Sequence, residues 1–184
     1  MRQGLTKEDP LKDDAPILRT IEEGRRRNMR QLLLRASRIV NRHVVAGLHA
    51  RGYAALRSTH TTLLSNIDLA GSTVTVAADR AGITKQAMGR LATELEDAGY
   101  IRVKSDPKDA RARVLQLTRT GRQLMLDSLE VMAELERRYA DSVGRDRLAA
   151  VLGGLATFVE VAEQDEVRTE KPESSRRPAR ARRR

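Results

Sequence analysis

Between residues 72 and 98, apolar residues recur at the three- and four-residue spacing of helices. The pattern predicts a short helix after Ser72, a tight turn at Gly82, and a second helix from Thr84 to Ala98. Ala78 is small where two helices must cross closely, and Gly82 tolerates the positive φ that such a turn needs. The segment therefore has the outline of a helix-turn-helix.

The second predicted helix has one apolar face and one polar face. Its inward-facing apolar residues are predicted to be Ile83, Met88, Leu91, Leu95 and Ala98. Thr84 is placed as its N-cap. The outward side is donor-rich or small, which suits contacts with phosphates and base edges. The residues predicted to bind DNA on this helix are Thr84, Lys85, Gln86, Ala87, Gly89, Arg90 and Thr93. Any surface helix has a polar outer face, so this helix alone leaves both interpretations open.

A hairpin with a basic loop is predicted directly after this helix. Its strands are the runs Tyr100 to Lys104 and Ala112 to Thr118, separated by the sequence SDPKDAR. The cations at or near the loop's tip are Lys108, Arg111 and Arg113. A cationic hairpin beside a helix that reads the major groove can reach the adjacent phosphates or minor groove. Asp109 either holds the Arg111 guanidinium extended through a hydrogen bond or simply forms the turn.

The run DPKDARARVLQLTRTG, residues 106 to 121, resembles the wing signature of the MarR-type regulators of multiple antibiotic resistance. That signature is Asp-x-Arg, then Leu-x-Leu-Thr, then Gly, and the matching positions are Asp109, Arg111, Leu115, Leu117, Thr118 and Gly121. The resemblance covers about residues 20 to 163. It implies a homodimeric winged-helix regulator in which Arg111 enters the minor groove and Asp109 braces it. Ala110 stands where the family often has a second Arg, which implies a somewhat weaker grip on DNA.

Long helices are predicted on both sides of this unit. Thr20 and Glu23 form a capping box for a helix that runs to about Ala50. A linking helix spans about Thr59 to Ala70, with Leu63, Leu64 and Ile67 inward. A further helix spans about Arg119 to Ala140, and another follows Gly144. Their apolar stripes exceed what one small winged helix can cover, so a second copy is expected to bury them. Packing within the chain alone is the alternative.

The fold class is therefore predicted to be mainly α, a winged helix-turn-helix unit with flanking helices that form a dimerisation scaffold. Residues 19–163 are one domain, with the winged helix at about 55–118 and dimerisation helices at about 20–51 and 119–163. Residues 1–18 and 164–184 are predicted to be disordered tails. Six arginines fall in the last nine residues, and they act either as a nonspecific grip on DNA or as a solvated tail.

Composition agrees with a polyanionic partner. The net charge is +10 and the pI is near 10.7. Residues 84 to 122 contain nine Lys or Arg against five Asp or Glu, and residues 167 to 184 contain eight against two. The chain has no cysteine, and its three histidines have no carboxylates at ligand spacing, so no metal or cofactor is predicted. No apolar run is long enough to span a membrane, and a cytoplasmic, nucleoid-associated bacterial protein with no membrane partner is expected.

The predicted function is sequence-specific binding of double-stranded DNA by a transcriptional regulator, a homodimeric repressor on a pseudo-palindromic operator. The alternative is an architectural protein that binds DNA largely without specificity. An enzyme is not expected, because the sequence has no Gly-rich phosphate loop, nucleophile motif or metal cluster. Release by a small-molecule effector follows from the resemblance. The candidate pocket residues are Arg38, His43, His60 and Met132, and core packing explains each of them equally well.

Overall fold

A computed structural model of the chain describes residues 14–105 and 113–169. Most of these residues are helical, which confirms the predicted mainly α class. The described residues up to Met132 form one compact unit, and those from Ala133 onward form another. The helices are α1 (Ala15–Arg27), α2 (Met29–Ala50), α3 (His60–Leu64), α4 (Val74–Ala81), α5 (Lys85–Asp97), α6 (Arg119–Val143) and α7 (Arg145–Thr169). The strands are β1 (Ser72–Thr73), β2 (Ile101–Ser105) and β3 (Arg113–Leu117).

The first long helix is interrupted at Asn28, where the sequence pattern predicts a continuous helix. The Asn28 backbone is extended, and its side-chain oxygen accepts from the Gln31 N–H at 2.9 Å, which caps α2. The predicted capping box is wrong, because Thr20 lies inside α1 and its hydroxyl donates to the Pro16 carbonyl. Helix α1 begins at Ala15, within the stretch predicted to be a tail.

Helix α3 ends at Leu64, six residues before Ala70, the predicted end of the linking helix. Beyond it, the Ser72 hydroxyl accepts from the Asp68 N–H and donates to the Asp68 carboxylate, both at 2.8 Å. Arg80 donates to the other carboxylate oxygen at 2.8 Å. The bonds from Arg80 and Ser72 lower the pKa of the Asp68 carboxyl. Side-chain bonds of this kind compete with continued helix, so the chain turns here instead.

The hairpin has a third strand that the sequence pattern did not indicate. Strand β1 pairs antiparallel with β3, with Ser72 opposite Leu115, and the strand order is β1-β3-β2. A two-residue strand is too short to show the alternation of period two by which strands are predicted. In the β2–β3 pair, Ile101 lies opposite Leu117 and Ser105 lies opposite Arg113.

The core of the first unit lies between these helices and the inner face of the sheet. Helix α4 packs on α5, and α3 packs on both. The largest apolar side chains exposed by less than 2% are Leu48, Leu56, Leu63, Met88, Leu95, Ile101, Leu115 and Leu124. They come from α2, the segment between α2 and α3, α3 itself, α5, both hairpin strands and α6.

Large apolar side chains remain exposed on the flanking helices. On α7 they are Val151, Leu152, Leu155, Phe158, Val159 and Val161. On α1 and α2 they are Ile17, Leu18, Ile21, Met29, Leu32, Leu34 and Ile39. Exposed apolar surface of this extent marks an interaction surface in many proteins. Among the described helices, none combines the length and the apolar character that crossing a membrane requires.

Candidate nucleic-acid interface

The turn between α4 and α5 is closed by a left-handed glycine. Gly82 has φ 62° and ψ 31°, its N–H donates to the Asp79 carbonyl, and the Ile83 N–H donates to the Ala78 carbonyl. This pair of bonds is the Schellman arrangement, which favours Gly at the left-handed position. The Thr84 hydroxyl then accepts from the Ala87 N–H at 3.2 Å, which confirms Thr84 as the N-cap of α5. The turn and the start of α5 are thus set by local sequence.

Helix α5 buries one face and presents the other to solvent. The buried residues are Met88, Ala92 and Leu95, and the predicted inward residues Leu91 and Ala98 are only half-buried. Ala92 therefore takes the central inward place that the sequence pattern gave to Leu91. On the other side, Thr84, Lys85, Gln86, Arg90 and Thr93 are exposed, and Ala87 and Gly89 are partly exposed. The residues predicted to bind DNA thus share the outer side of α5.

A groove of about 480 Å³ runs between the outer side of α5, the start of α4 and the hairpin. Its lining residues are Thr73, Val74, Thr75, Lys85, Gly89, Ala92, Thr93, Glu96, Val103 and Arg113. Lys85, Gly89, Thr93 and Arg113 belong to the predicted DNA-binding set, and the fold brings them together although 28 positions separate Lys85 from Arg113. The threonines of the α4 start were not predicted, although Thr73 could have been found as a helix N-cap, since its hydroxyl accepts from the Val76 N–H.

The groove carries two cationic side chains, Lys85 and Arg113, and one acidic side chain, Glu96. The Glu96 carboxylate accepts from the Val103 N–H at 2.7 Å, so part of its charge is directed at the hairpin backbone. The net formal charge of the lining is therefore positive. A positive groove beside an exposed helix matches the charge of a nucleic-acid backbone.

The tip of the wing lies outside the described residues. Lys108, Asp109 and Arg111 all fall in the stretch 106–112. Arg113, the first residue of β3, is described and exposed. The predicted insertion of Arg111 into a minor groove, with Asp109 as its brace, stays a prediction.

The signature residues Thr118 and Gly121 lie at the junction between the hairpin and α6. The Thr118 hydroxyl donates to the Gly99 carbonyl at 2.7 Å and accepts from the Gly121 N–H at 3.0 Å. A Cβ on Gly121 would overlap the Tyr100 carbonyl oxygen and lie 2.9 Å from its carbon. Leu115 and Leu117 of the same signature are buried. These four signature positions therefore join α6 to the hairpin and do not themselves face a ligand.

Behind α5, the carboxylate of Glu94 is bound by two side chains. His60 Nε2 lies 2.9 Å from Glu94 Oε2, and Arg57 Nη1 donates to the same oxygen at 3.1 Å. The hydrogen bond with His60, followed by the charge of Arg57, lowers the pKa of the Glu94 carboxyl. At the end of α5, Glu94 and Glu96 remain in contact with solvent, and both accept hydrogen bonds from outside α5.

The four residues predicted to contact an effector differ in their exposure to solvent. His60 is 2% exposed, Arg38 and His43 are exposed on α2, and Met132 is half-buried. A cavity of about 430 Å³ beside His60 is lined by Ala54, Ala55, Arg57, Glu94, Asp97 and Ala98. Of the four predicted residues, this cavity includes only His60. Both nitrogens of the His60 ring are bonded within the chain.

Comparison with known proteins places the chain in a family. The sequence model of the MarR family matches residues 56–112. Uncharacterized proteins of Mycobacterium bovis and Mycobacterium tuberculosis are 31% identical over 121 residues, which is 62% of this chain and 85% of theirs. The matched residues include helix α3, the turn at Gly82 and helix α5.

Solved structures share the fold. The transcriptional regulator PA4135 has a TM-score of 0.59 at 21% identity, covering 73% of this chain and 98% of that one. MarR itself has a TM-score of 0.59 at 20% identity, covering 73% and 94%. The repressor CouR, solved bound to a 23-mer DNA duplex, has a TM-score of 0.55 at 24% identity, covering 72% and 92%. The chain therefore belongs to the MarR family and has the winged helix-turn-helix fold of these solved proteins.

Proposed function

We propose that the chain is a homodimeric repressor that binds a pseudo-palindromic operator through α5 and the wing and is released by a small-molecule effector. The observation that carries the proposal is that the first nine residues of α5, which lie beside the positive groove, carry no acidic side chain. No Asp or Glu occurs between Lys85 and Thr93, and those two residues line the groove together with Gly89 and Arg113. Such a protein acts on chromosomal DNA, so we place it in the cytoplasm and at the nucleoid.

Within this proposal, Gln86 and Arg90 read bases. They lie four residues apart on the exposed side of α5, so both can reach into one major groove. Gln pairs with adenine and Arg with guanine through two hydrogen bonds each. Lys85 and Arg113 would bind phosphates from the two sides of the groove, and the start of α5 adds its backbone N–H groups. Lys108, Ala87 and Arg111 complete the proposed set.

Arg90→Ala is expected to weaken binding to the operator by about 1 to 3 kcal/mol and to relax base preference, since a base contact is lost with the charge. The probe is a duplex selected from a random library by the wild-type protein, compared with a scrambled duplex at one moderate salt concentration. We expect the selected sequences to be pseudo-palindromes with half-sites about 10 base pairs apart.

The matched control is Arg42→Ala, which removes the same charge from an exposed position on α2. Both variants lose one positive charge, so a larger loss of base preference in Arg90→Ala is attributed to the lost base contact. Equal binding of the Arg90→Ala variant and the wild type to the selected duplex would contradict the assignment. The architectural alternative, which the net charge of +10 favours, predicts that the wild type itself prefers the selected duplex by far less than a thousandfold.

The homodimer is supported by the apolar residues on the flanking helices. Phe158 is 44% exposed, and Leu152 and Leu155 near it on α7 are 44% and 38% exposed. A closed two-fold dimer would remove this surface from water. A dimer also carries two copies of α5, the number that a pseudo-palindromic operator requires.

Phe158→Asp is expected to weaken self-association by about a hundredfold, because an unpaired carboxylate would be buried where an aromatic ring was. Sedimentation of the wild type at micromolar concentration should show a dimer, and the variant should show a monomer. Val76→Asp, at an exposed position on α4, introduces the same charge and should leave the dimer intact. A monomeric wild type would overturn the dimer.

Release by an effector is supported by membership of the family alone. Because both ring nitrogens of His60 are bonded within the chain, we assign the proposed effector contacts to Arg38, His43 and Met132. The most direct assay is loss of binding to the selected duplex during a screen of small molecules.

A further inference from the structure

A buried histidine lies directly behind the helix that we propose reads DNA. His60, the first residue of α3, is 2% exposed and belongs with the largest fully buried side chains. Its Nε2 lies 2.9 Å from Glu94 Oε2 on α5. Its Nδ1 accepts from the Arg57 N–H at 3.2 Å, and the His60 N–H donates to the Arg57 carbonyl at 3.0 Å. A polar ring in this position has specific partners on both sides.

These bonds define which nitrogen carries the proton. Because the Arg57 N–H donates to Nδ1, that nitrogen must present its lone pair. The ring proton is then on Nε2, and Nε2–H donates to Glu94. Nδ1 of the imidazole is thereby fixed to the backbone just before α3, and Nε2 is fixed to a side chain of α5. The ring is a rigid link between the two helices.

The other contacts of α5 differ from this bond. The Glu96 carboxylate accepts from the Val103 N–H at 2.7 Å, but both of these groups are at an exposed position. The buried face of α5 consists of Met88, Ala92 and Leu95, and apolar contacts of this kind have no preferred direction. A hydrogen bond is directional and weakens steeply as its angle closes. Arg57 also binds Glu94, but the two side chains are 70% and 42% exposed, and exposed pairs hold geometry weakly. Of these three directional contacts, the His60–Glu94 bond is the one with a buried partner, because the His60 side chain is 2% exposed.

A shift of Glu94 would be transmitted along a rigid helix to the outer side of α5. Glu94 follows Arg90 by four residues and Gln86 by eight, which is about one and two helical turns. Base readout through two parallel hydrogen bonds requires the donor and acceptor to be aligned, whereas contact with phosphates depends mainly on charge. An error in the placement of α5 should therefore reduce base discrimination before it reduces general affinity for DNA.

We propose that His60 is a positioning residue for DNA reading, which sets the rotation and axial position of α5 through its Nε2–H bond to Glu94. This inference rests on the proposed function, since it requires that α5 reads bases. It also explains why a histidine is buried here. Only the neutral ring with its proton on Nε2 can bond to the α3 start and to α5 at once.

Two amide variants separate the two ends of the ring. In His60→Gln the amide nitrogen reaches the place of Nε2, so the donor to Glu94 is kept and the acceptor for Arg57 is lost. In His60→Asn the amide oxygen takes the place of Nδ1, so the acceptor is kept and the donor to Glu94 is lost. Both variants are similar in polarity and remove the same ring, and thermal unfolding of each shows that it is folded at the assay temperature.

The measured quantity is the ratio of affinities for the library-selected duplex and its scrambled counterpart. His60→Asn is expected to lower this ratio about tenfold, the size of one weakened base contact, while scrambled-duplex affinity changes by less than about twofold. His60→Gln is expected to keep the ratio within about twofold of the wild type. Rescue by glutamine and not by asparagine is an outcome that a merely structural role does not give.

Two outcomes would overturn the inference: an unchanged ratio in His60→Asn, or an equal fall in both variants. Glu94→Ala, which also removes the exposed pair with Arg57, should lower the ratio at least as much as His60→Asn. The double variant should lose no more than Glu94→Ala alone, since both changes break the His60–Glu94 bond. Failure of the proposed function looks different. In that case the wild type enriches no sequence from the library, and there is no ratio to lose.

Discussion

Gly121→Ala is expected to destabilise the protein by about 3 kcal/mol or more, although it introduces a better helix former into α6. The added Cβ would overlap the Tyr100 carbonyl oxygen. That oxygen cannot move away freely, because it accepts the Thr118 N–H at 3.0 Å and shares the Thr118 hydroxyl proton with the Gly99 carbonyl next to it. Relief of the overlap would separate α6 from the start of the hairpin and break these bonds.

The matched control is Gly24→Ala in α1, where a Cβ would meet nothing within 4 Å. This change should be neutral or stabilising by up to about 1 kcal/mol, because glycine weakens a helix relative to alanine. Urea unfolding midpoints at one protein concentration compare the two variants, and a fixed concentration removes the effect of self-association. Equal midpoints for the two variants would show that the junction at Gly121 is not tight.

The junction also explains how a sequence signature can mark a family without marking a contact with DNA. In the signature, Asp109 and Arg111 fall outside the described residues, whereas Thr118 and Gly121 make the hairpin–helix junction. The spacing of Thr118 and Gly121 is set by one helical turn, since the threonine hydroxyl accepts the glycine N–H three residues later. A pattern of this kind predicts the fold of the wing, and the function follows only from the residues the wing presents.

Local signals were sufficient for the helix-turn-helix. The left-handed glycine at Gly82 and the N-cap at Thr84 each depend on residues within five positions, so the sequence alone indicates them. The break at Asn28 was missed because the apolar spacing continues through it. An asparagine in the middle of a helical pattern can be a cap or an exposed helical residue, and the spacing does not distinguish them.

Contacts between distant residues could not be predicted in the same way. His60 and Glu94 are 34 positions apart, and each has an ordinary local explanation, the one as a core residue and the other as a solvated helix end. The pairing of β1 with β3 depends on a strand of two residues. The groove that joins Lys85 to Arg113 exists only after the hairpin has folded against α5. In each case the information lies in the packing, which periodicity does not encode.

Gly89 offers the sharpest test of whether α5 reads DNA, because nothing within the described chain requires a glycine there. It lies inside a helix, where glycine costs about 0.5 to 1 kcal/mol relative to alanine. A Cβ at this position would meet nothing within 4 Å. Glycine at this position therefore costs helix stability without relieving any contact within the described chain. A closely approaching duplex would account for the glycine, since Gly89 lines the positive groove between Lys85 and Thr93.

Gly89→Ala is accordingly expected to raise the free energy of unfolding by about 0.5 to 1 kcal/mol while it weakens binding to the selected duplex. Gly89→Glu should be as well folded, because glutamate is a good helix former, but it should lose about a hundredfold in affinity, since a carboxylate would oppose phosphates at close range. Ser65→Glu adds the same charge at the exposed end of α3 and should lose less than about threefold. Titrations of the three variants and the wild type on the selected duplex, with unfolding curves for each, supply both quantities. Equal affinity of Gly89→Glu and Ser65→Glu would mean that DNA does not approach this side of α5. In Gly89→Ala, stability is expected to rise while affinity for DNA falls, and a residue that served only packing would not show this combination.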